Sequence, residues 1–409
     1  MKTALKFSVG LLSVVGMAGC GAASQPDVAE EGSVSEQSAA LILTNEELEK
    51  GIRRDFNGDR IEDLIVAKGP NAAQPGSTQR LGYRGGDFEP AVWTRPDLSG
   101  NVNYTYGDFN GDHRTDVIIT LPDGSRLYQG KPGGDWIYDA WVRSDLVYGN
   151  VQYVVGDYNN DHRSDLIVVT SSGSYEYLGR ADGGFTYVWY NSARLGNARL
   201  TAGDFNGDHA SDLIITKGNS SSLYKGVAGP YGGFVADVWV STSYPYGSEF
   251  YPGDFTGDGK VDVIARNNTD ARELIGQATG GFTTNYAWVH SEYRFGTGNQ
   301  IQFIPGDYNG DGKWDLVIAD GSGAKLYPAF KTTSSTGFGA STWFITDASA
   351  YFSVFKRGDF SGDGKDDLLV MENVPPGTPG TKEYKGQATG LSAAIWNDTT
   401  IVNGDAQIF

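Results

Sequence analysis

The sequence predicts an all-β protein, a seven-bladed β-propeller of four-stranded antiparallel blades. Three observations predict it. One acidic pattern recurs seven times at intervals near 50 residues, and each copy runs into short β-branched strands. The chain also ends on a segment that matches a strand its first copy lacks.

Composition points the same way. The 409 residues include 57 Gly, 23 Tyr, 19 Phe and 9 Trp against 3 Met, a balance that suits short strands and tight turns. A hydrophobic content of 39% supports a real core. The formal net charge of −18 repels phosphate backbones, which excludes nucleic acid as a partner. That acidity belongs either to a solvated surface or to carboxylates gathered around cations.

The N-terminus is an address. Lys2 and Lys6 precede the apolar run Phe7 to Met17, and Ala18-Gly19-Cys20 follows. The run is too short to span a bilayer and reads as a secretory signal. The only cysteine, Cys20, sits where a bacterial lipobox places its lipid-modified residue, with Met17 in place of the usual Leu. Residues 1–20 are therefore read as a lipoprotein-type signal peptide with Cys20 as the lipid attachment point; cleavage near Ala23 is the alternative. Residues 21–45, rich in Ala, Ser, Glu and Gln, read as a flexible tether. Residues 46–409 are the propeller. The expected location is the cell envelope, with the membrane reached only through the lipid.

The repeats begin at Asp55, Asp108, Asp157, Asp204, Asp254, Asp307 and Asp359. Each acidic stretch leads into a strand such as Val117-Ile118-Ile119-Thr120. A second strand follows, as at Arg126-Leu127-Tyr128, then a Gly-Gly turn with an aromatic close behind, then a strand carrying a tryptophan. The tryptophans are Trp93, Trp141, Trp189, Trp239, Trp288, Trp343 and Trp396. A short fourth strand enters the next acidic loop. One such sheet cannot bury both faces alone, whereas radial stacking buries them and leaves few open edges. The final segment, Asn403 to Phe409, matches Gly298 to Phe303, the strand entering the sixth loop. Gln407 to Phe409 is thus expected to join the first blade and close the ring.

Within the loops the frame is D-x-[NTS]-x-D-x-x-x-D. Position 1 is Asp55, Asp108, Asp157, Asp204, Asp254, Asp307 and Asp359; position 3 is Asn57, Asn110, Asn159, Asn206, Thr256, Asn309 and Ser361. Position 5 is Asp59, Asp112, Asp161, Asp208, Asp258, Asp311 and Asp363; position 9 is Asp63, Asp116, Asp165, Asp212, Asp262, Asp315 and Asp367. Main-chain carbonyls are available at position 7, from Ile61, Arg114, Arg163, Ala210, Lys260, Lys313 and Lys365. Alternating oxygen donors in a tight loop suit Ca²⁺, a hard cation with six to eight oxygen ligands, better than Zn²⁺, Cu²⁺ or Mg²⁺. Asp, Asn and Gly also favour turns without any metal. Up to seven structural Ca²⁺ are expected, which would take the formal charge from −18 to −4. Position 12 is apolar (Val66, Ile119, Val168), so this is no EF-hand. Position 2 is always Phe or Tyr, read as an anchor into the core. His113, His162 and His209 stand at position 6 where other copies have Gly, which indicates a left-handed backbone rather than a metal set.

These loops resemble those of the FG-GAP/VCBS repeat family, the calcium-loop propellers that include the integrin α-subunit head and certain fungal seven-bladed lectins. The likeness covers about residues 50–409. It implies a mainly structural metal in the loop between the first two strands of each blade.

For function, nearly every distinctive residue is repeated sevenfold, whereas a catalytic site normally breaks such symmetry. No nucleophile elbow, zinc-protease helix or phosphate loop stands out. The expectation is a binding or adhesion module and no enzyme. Glycans are the first candidate, with the seven tryptophans as candidate stacking residues, although one Trp per blade also suits packing between sheets. A surface-protein ligand, a scaffold role and a polysaccharide lyase are the alternatives.

Overall fold

In the computed structural model the described residues are 54–408, without 71, 73–74, 101, 192–197, 296–299, 333–334, 347, 351–352, 373–379 and 402–405; Trp189 is described in its backbone only. The signal, the tether, Cys20 and Phe409 lie outside them. Seven four-stranded antiparallel sheets follow one another. Blade 2 shows the plan: Asn103–Gly107, Asp116–Leu121, Gly124–Gly130 and Trp136–Arg143, each strand paired with the next. Blade 3 repeats it with Val151–Gly156, Asp165–Thr170, Ser174–Gly179 and Phe185–Asn191. Blades 4 to 7 begin at Arg199, Glu249, Gln302 and Ser353. Blade 6 adds a small hairpin, Ala329–Lys331 with Thr336–Phe338, before its outer strand.

Blade 1 is built from both ends of the chain. Its inner strand is Ala406–Ile408, paired to Leu64–Lys68 through Val66↔Ile408, Ala67↔Gln407 and Lys68↔Ala406. The C-terminus therefore supplies the missing strand, as the sequence match implied. Ile408 is buried there in an apolar cluster with Leu64, Val66, Leu369 and Met371, which joins blade 7 to blade 1.

Each acidic loop bridges two blades. The carbonyl of position 1 accepts the position-8 amide of the following blade: Thr115 N to Asp55 O (2.7 Å), Ser164 N to Asp108 O (2.7 Å), Ser211 N to Asp157 O (2.7 Å). The series continues around to Glu62 N and Asp359 O (3.0 Å), which closes blade 7 on blade 1. Close approach of these loops demands glycine at the end of the third strand. A Cβ on Gly179 would lie 2.5 Å from the carbonyl oxygens of both Phe109 and Ser164.

The seams between blades are aromatic. Position 2 of one blade meets the aromatic that follows the Gly-Gly turn of the next: Phe109 with Phe185 at 5.2 Å, Tyr158 with Phe234 at 5.3 Å, Phe205 with Phe282 at 5.3 Å. The same aromatic takes the edge of the preceding blade's tryptophan, as in Trp141–Phe185 (5.2 Å), Trp239–Phe282 (5.2 Å) and Trp396–Phe88 (5.0 Å). Such edge-to-face contacts add about 0.5–1.5 kcal/mol each beyond area burial.

Candidate functional site

Most of the candidate residues lie in the acidic loops. Position 1 organises each loop. In the second copy Asp108 Oδ1 accepts the amides of Gly111 (2.7 Å) and Asp112 (3.1 Å), and Oδ2 accepts that of His113 (2.8 Å). Position 6 is left-handed throughout: φ is 70° at Arg60, 65° at His113 and His162, 70° at His209 and 79° at Gly259. The three histidines are thus backbone residues in a conformation that glycine adopts elsewhere.

Position 9 works as a buried staple, fully enclosed in all seven copies. Asp165 Oδ2 accepts the Tyr158 amide at 2.9 Å, while Oδ1 accepts the Gly179 amide at 2.9 Å, so the loop's start is tied to the end of the third strand. Burial, with repulsion from neighbouring aspartates, raises these carboxyls: Asp116 to about 8, and Asp212, Asp315 and Asp367 to about 7. At position 1 burial lifts Asp55 and Asp157 to about 6.

Position 7 carries a role that its carbonyl did not foretell. Its basic side chain pairs with the position-5 carboxylate: Arg163–Asp161 at 2.5 Å, Lys260–Asp258 at 2.7 Å, Lys313–Asp311 at 2.8 Å, Lys365–Asp363 at 3.0 Å. Where position 7 is Ala210, Lys225 reaches Asp208 instead (2.7 Å). Among the described residues no group of three or more His, Cys, Asp or Glu is arranged to hold a metal ion. The donor set nevertheless fits a hard cation at specific atoms. The buried oxygens Asn159 Oδ1, Asn206 Oδ1 and Ser361 Oγ at position 3, and Asp315 Oδ2 at position 9, lack a hydrogen-bond partner among the described residues. A cation in the loop would compete with the basic side chain for the position-5 carboxylate.

Six of the seven candidate tryptophans have described side chains, and these lie in the seams. Trp93 and Trp288 are buried; Trp141, Trp239, Trp343 and Trp396 are half-buried against the next blade.

One seam departs from the repeat. Between blades 3 and 4 an open cleft of ≈ 680 Å³ is lined by Asp161, Arg163, Arg180, Asp182, Gly229 and Pro230, among others. Arg180 pairs with Asp182 and Arg163 with Asp161, which sets charged hydrogen-bonding groups along its wall. Beside Pro230 stands Tyr231, 84% exposed, within the turn Val227 to Gly233. That turn is longer than its counterparts (VAGPYGG against RADGG and QATGG). The insertion was visible in the sequence, but its position over a cleft was not. A second hollow of ≈ 510 Å³ lies on the first strands of blades 3 to 5, where Arg199 and Glu249 pair at 2.9 Å.

Solved structures similar in fold include the following three. A lectin from Agrocybe aegerita, described for specific recognition of non-reducing terminal N-acetylglucosamine, shares 15% identity with a TM-score of 0.61; 85% of this chain and 94% of that one are covered. The periplasmic gluconolactonase of Pseudomonas aeruginosa gives 12% identity and a TM-score of 0.56, covering 85% and 98%. A protein from Lactobacillus plantarum gives 11% and 0.55, covering 85% and 99%. At such identities the likeness is one of fold. No curated protein matches the chain in sequence. The FG-GAP-like repeat model matches residues 108–168, 157–215, 204–265 and 254–318, together just over half of the chain. With seven loops of one geometry and seven blades of one plan, this chain belongs to the FG-GAP-like repeat family.

Proposed function

We propose that this chain is an exported, calcium-stiffened propeller that binds glycans at the seams between its blades. The observation that carries the reading is the cleft between blades 3 and 4. It is open, rimmed by paired arginines and aspartates, and flanked by an exposed tyrosine. Sugars are bound by this combination: hydroxyls bond to charged and amide groups while an aromatic face covers the ring's apolar side. Likeness in fold to the N-acetylglucosamine-recognising lectin supports the same reading, and Tyr231, the most exposed of these aromatics, replaces the tryptophans as the leading stacking residue.

Calcium would act on stability. A dication in the loops would relieve the burial and repulsion that raise the position-1 and position-9 carboxyls, and in the third, fourth and seventh loops it would use the unpartnered oxygens of Asn159, Asn206 and Ser361. The N-terminal signal and Cys20 would carry the propeller out of the cytoplasm and tether it to the envelope by a lipid. Repeated weak sites on such a surface gain through avidity.

A glycan array, probed with the full chain in calcium and again in EDTA, tests the reading. Binding to a defined sugar that Tyr231→Ala weakens while the fold persists supports it. A blank array from folded, calcium-loaded protein removes the glycan and leaves a protein ligand or a scaffold.

A further inference from the structure

The seam between blades 3 and 4 breaks the repeat at three places that meet. At loop position 4 six copies have glycine. A Cβ there would come 2.7 to 2.9 Å from the position-7 side chain of the following loop, which is Arg114, Arg163, Lys260, Lys313, Lys365 or Ile61. The third copy has Asn160 instead, left-handed at φ 56°, a conformation that Asn adopts at lower cost than most residues. The loop that follows has Ala210 at position 7, so no long side chain stands where the Asn160 Cβ must go. The two departures are coupled, because one removes the side chain that forbids the other.

The third departure is the turn of blade 4. In blades 1, 2, 3 and 5 the turn after the third strand is closed by a bond between residues four apart, such as Lys131 N to Asp135 O (3.1 Å) and Arg180 N to Gly184 O (3.0 Å). In blade 4 the same bond joins residues six apart, Val227 N to Gly233 O at 3.1 Å. The longer turn lies over the third loop. Gly229 N donates to Asn159 O at 2.7 Å, and Gly229 and Pro230 wall the cleft together with Asn160. Blade 6 also has an insertion at this turn, but its hairpin is tied down on blade 5: Asn285 Nδ2 donates to Thr336 O (3.2 Å), and Lys331 lies 3.7 Å from Asp258.

What Asn160 adds is a carboxamide in the wall of the cleft. Its side chain makes no hydrogen bond among the described residues, and its Oδ1 is buried without a partner there. A buried acceptor left unmade is costly, and the glycine of the other six loops avoids that cost. The last torsion of asparagine is broad and roughly two-fold, so the carboxamide can turn toward the cleft without breaking a bond. A ligand in the cleft then supplies the donor that the acceptor lacks.

We propose that the 3/4 seam is the one ligand seam of this ring and that Asn160 is its selecting residue, its carboxamide accepting a hydroxyl or amide N–H of the bound sugar. This rests on the glycan reading and narrows it to one site per chain, made by Asn160, Ala210 and the long turn rather than by the repeated tryptophans.

Exchanges with residues already native in the repeat test it. Asn160→Gly installs the glycine of the other six loops. Grafting the blade-3 turn Arg180–Gly184 in place of Val227–Gly233 shortens the wall. The double variant Asn160→Gly, Ala210→Lys rebuilds the packing of the other seams. Calorimetric titration of the full chain uses N-acetylglucosamine and the strongest sugar found on the array. The wild type is expected to bind one equivalent, Asn160→Gly to bind roughly three- to tenfold more weakly, and the turn graft to lose binding. The double variant is expected to fold and to bind as weakly as Asn160→Gly. More than one equivalent, or an Asn160→Gly chain that binds like the wild type, overturns the proposal and leaves the glycan reading intact, even if the graft fails to fold. A double variant that regains full affinity does the same, since Asn160 would then act through packing alone. A wild-type chain that binds no sugar overturns both.

Discussion

The position-9 aspartates make a demanding test of how these loops are held. In Asp165→Ala two buried amides, those of Tyr158 and Gly179, lose acceptors that lie at 2.9 Å. Each unsatisfied buried amide costs roughly 1–3 kcal/mol, so the gross loss is about 2–6 kcal/mol. Part of it is returned, because the variant no longer buries a carboxyl whose pKa the site raises well above its ordinary value. The net expectation is about 2–4 kcal/mol of destabilisation. Asp165→Asn keeps one acceptor and turns an amide toward the other N–H, which predicts about half that loss. Asp161→Ala removes the partly exposed pair with Arg163 together with the bonds that Asp161 accepts from the Arg163 amide and Asn159 Nδ2 (3.0 Å each), and is expected to cost about 1–2 kcal/mol. Urea unfolding followed by tryptophan fluorescence in EDTA measures all three without a contribution from any metal. Asp165→Ala within about 0.5 kcal/mol of wild type, or no worse than Asp161→Ala, would refute the staple.

Other expectations follow from the same geometry. Deleting residues 404–409 strips the inner strand from blade 1 and removes buried Ile408, so the melting temperature is expected to fall by more than about 5 °C; an unchanged melt contradicts ring closure. Calcium is expected to raise the melting temperature with the logarithm of its free concentration above the dissociation constant and EDTA to lower it, whereas indifference to both sinks the metal reading. Glu176, raised by burial to about 7 despite the Gly233 amide, stabilises most when protonated. That contribution is complete below the unfolded value near 4.5 and is lost as pH climbs through about 7, amounting to at most about 3 kcal/mol. Glu176→Gln should therefore melt close to wild type at pH 5 and above it at pH 8; equal differences at both pH values would show that the carboxyl does not titrate in the seam. Gly179→Ala should disrupt the 2/3 junction, since its methyl meets two carbonyl oxygens at 2.5 Å; a wild-type melt would contradict that packing.

The sequence by itself determined the repeat count, the strand order within a blade, the aromatic anchor at position 2 and the left-handed sixth position. These are local or periodic properties: an alternating strand, a turn residue and a spacing of about 50 are written in neighbouring letters. It also determined the closing strand, because Gln407 to Phe409 repeat a pattern seen before the sixth loop. Tertiary structure alone decided what crosses the seams. That position 1 gives its carbonyl to the next blade, that Arg163 turns back on Asp161, and that Tyr231 stands beside a cleft depend on two blades meeting. The alternation of Glu176, Glu273 and Glu383 with leucine was present in the letters. Its meaning came only with the register that places Glu176 and Glu383 opposite Trp189 and Trp396, fully buried and close to a neighbouring blade's glycine turn. A buried acceptor is defined by what surrounds it, and that environment is assembled from residues some 50 positions apart in the chain.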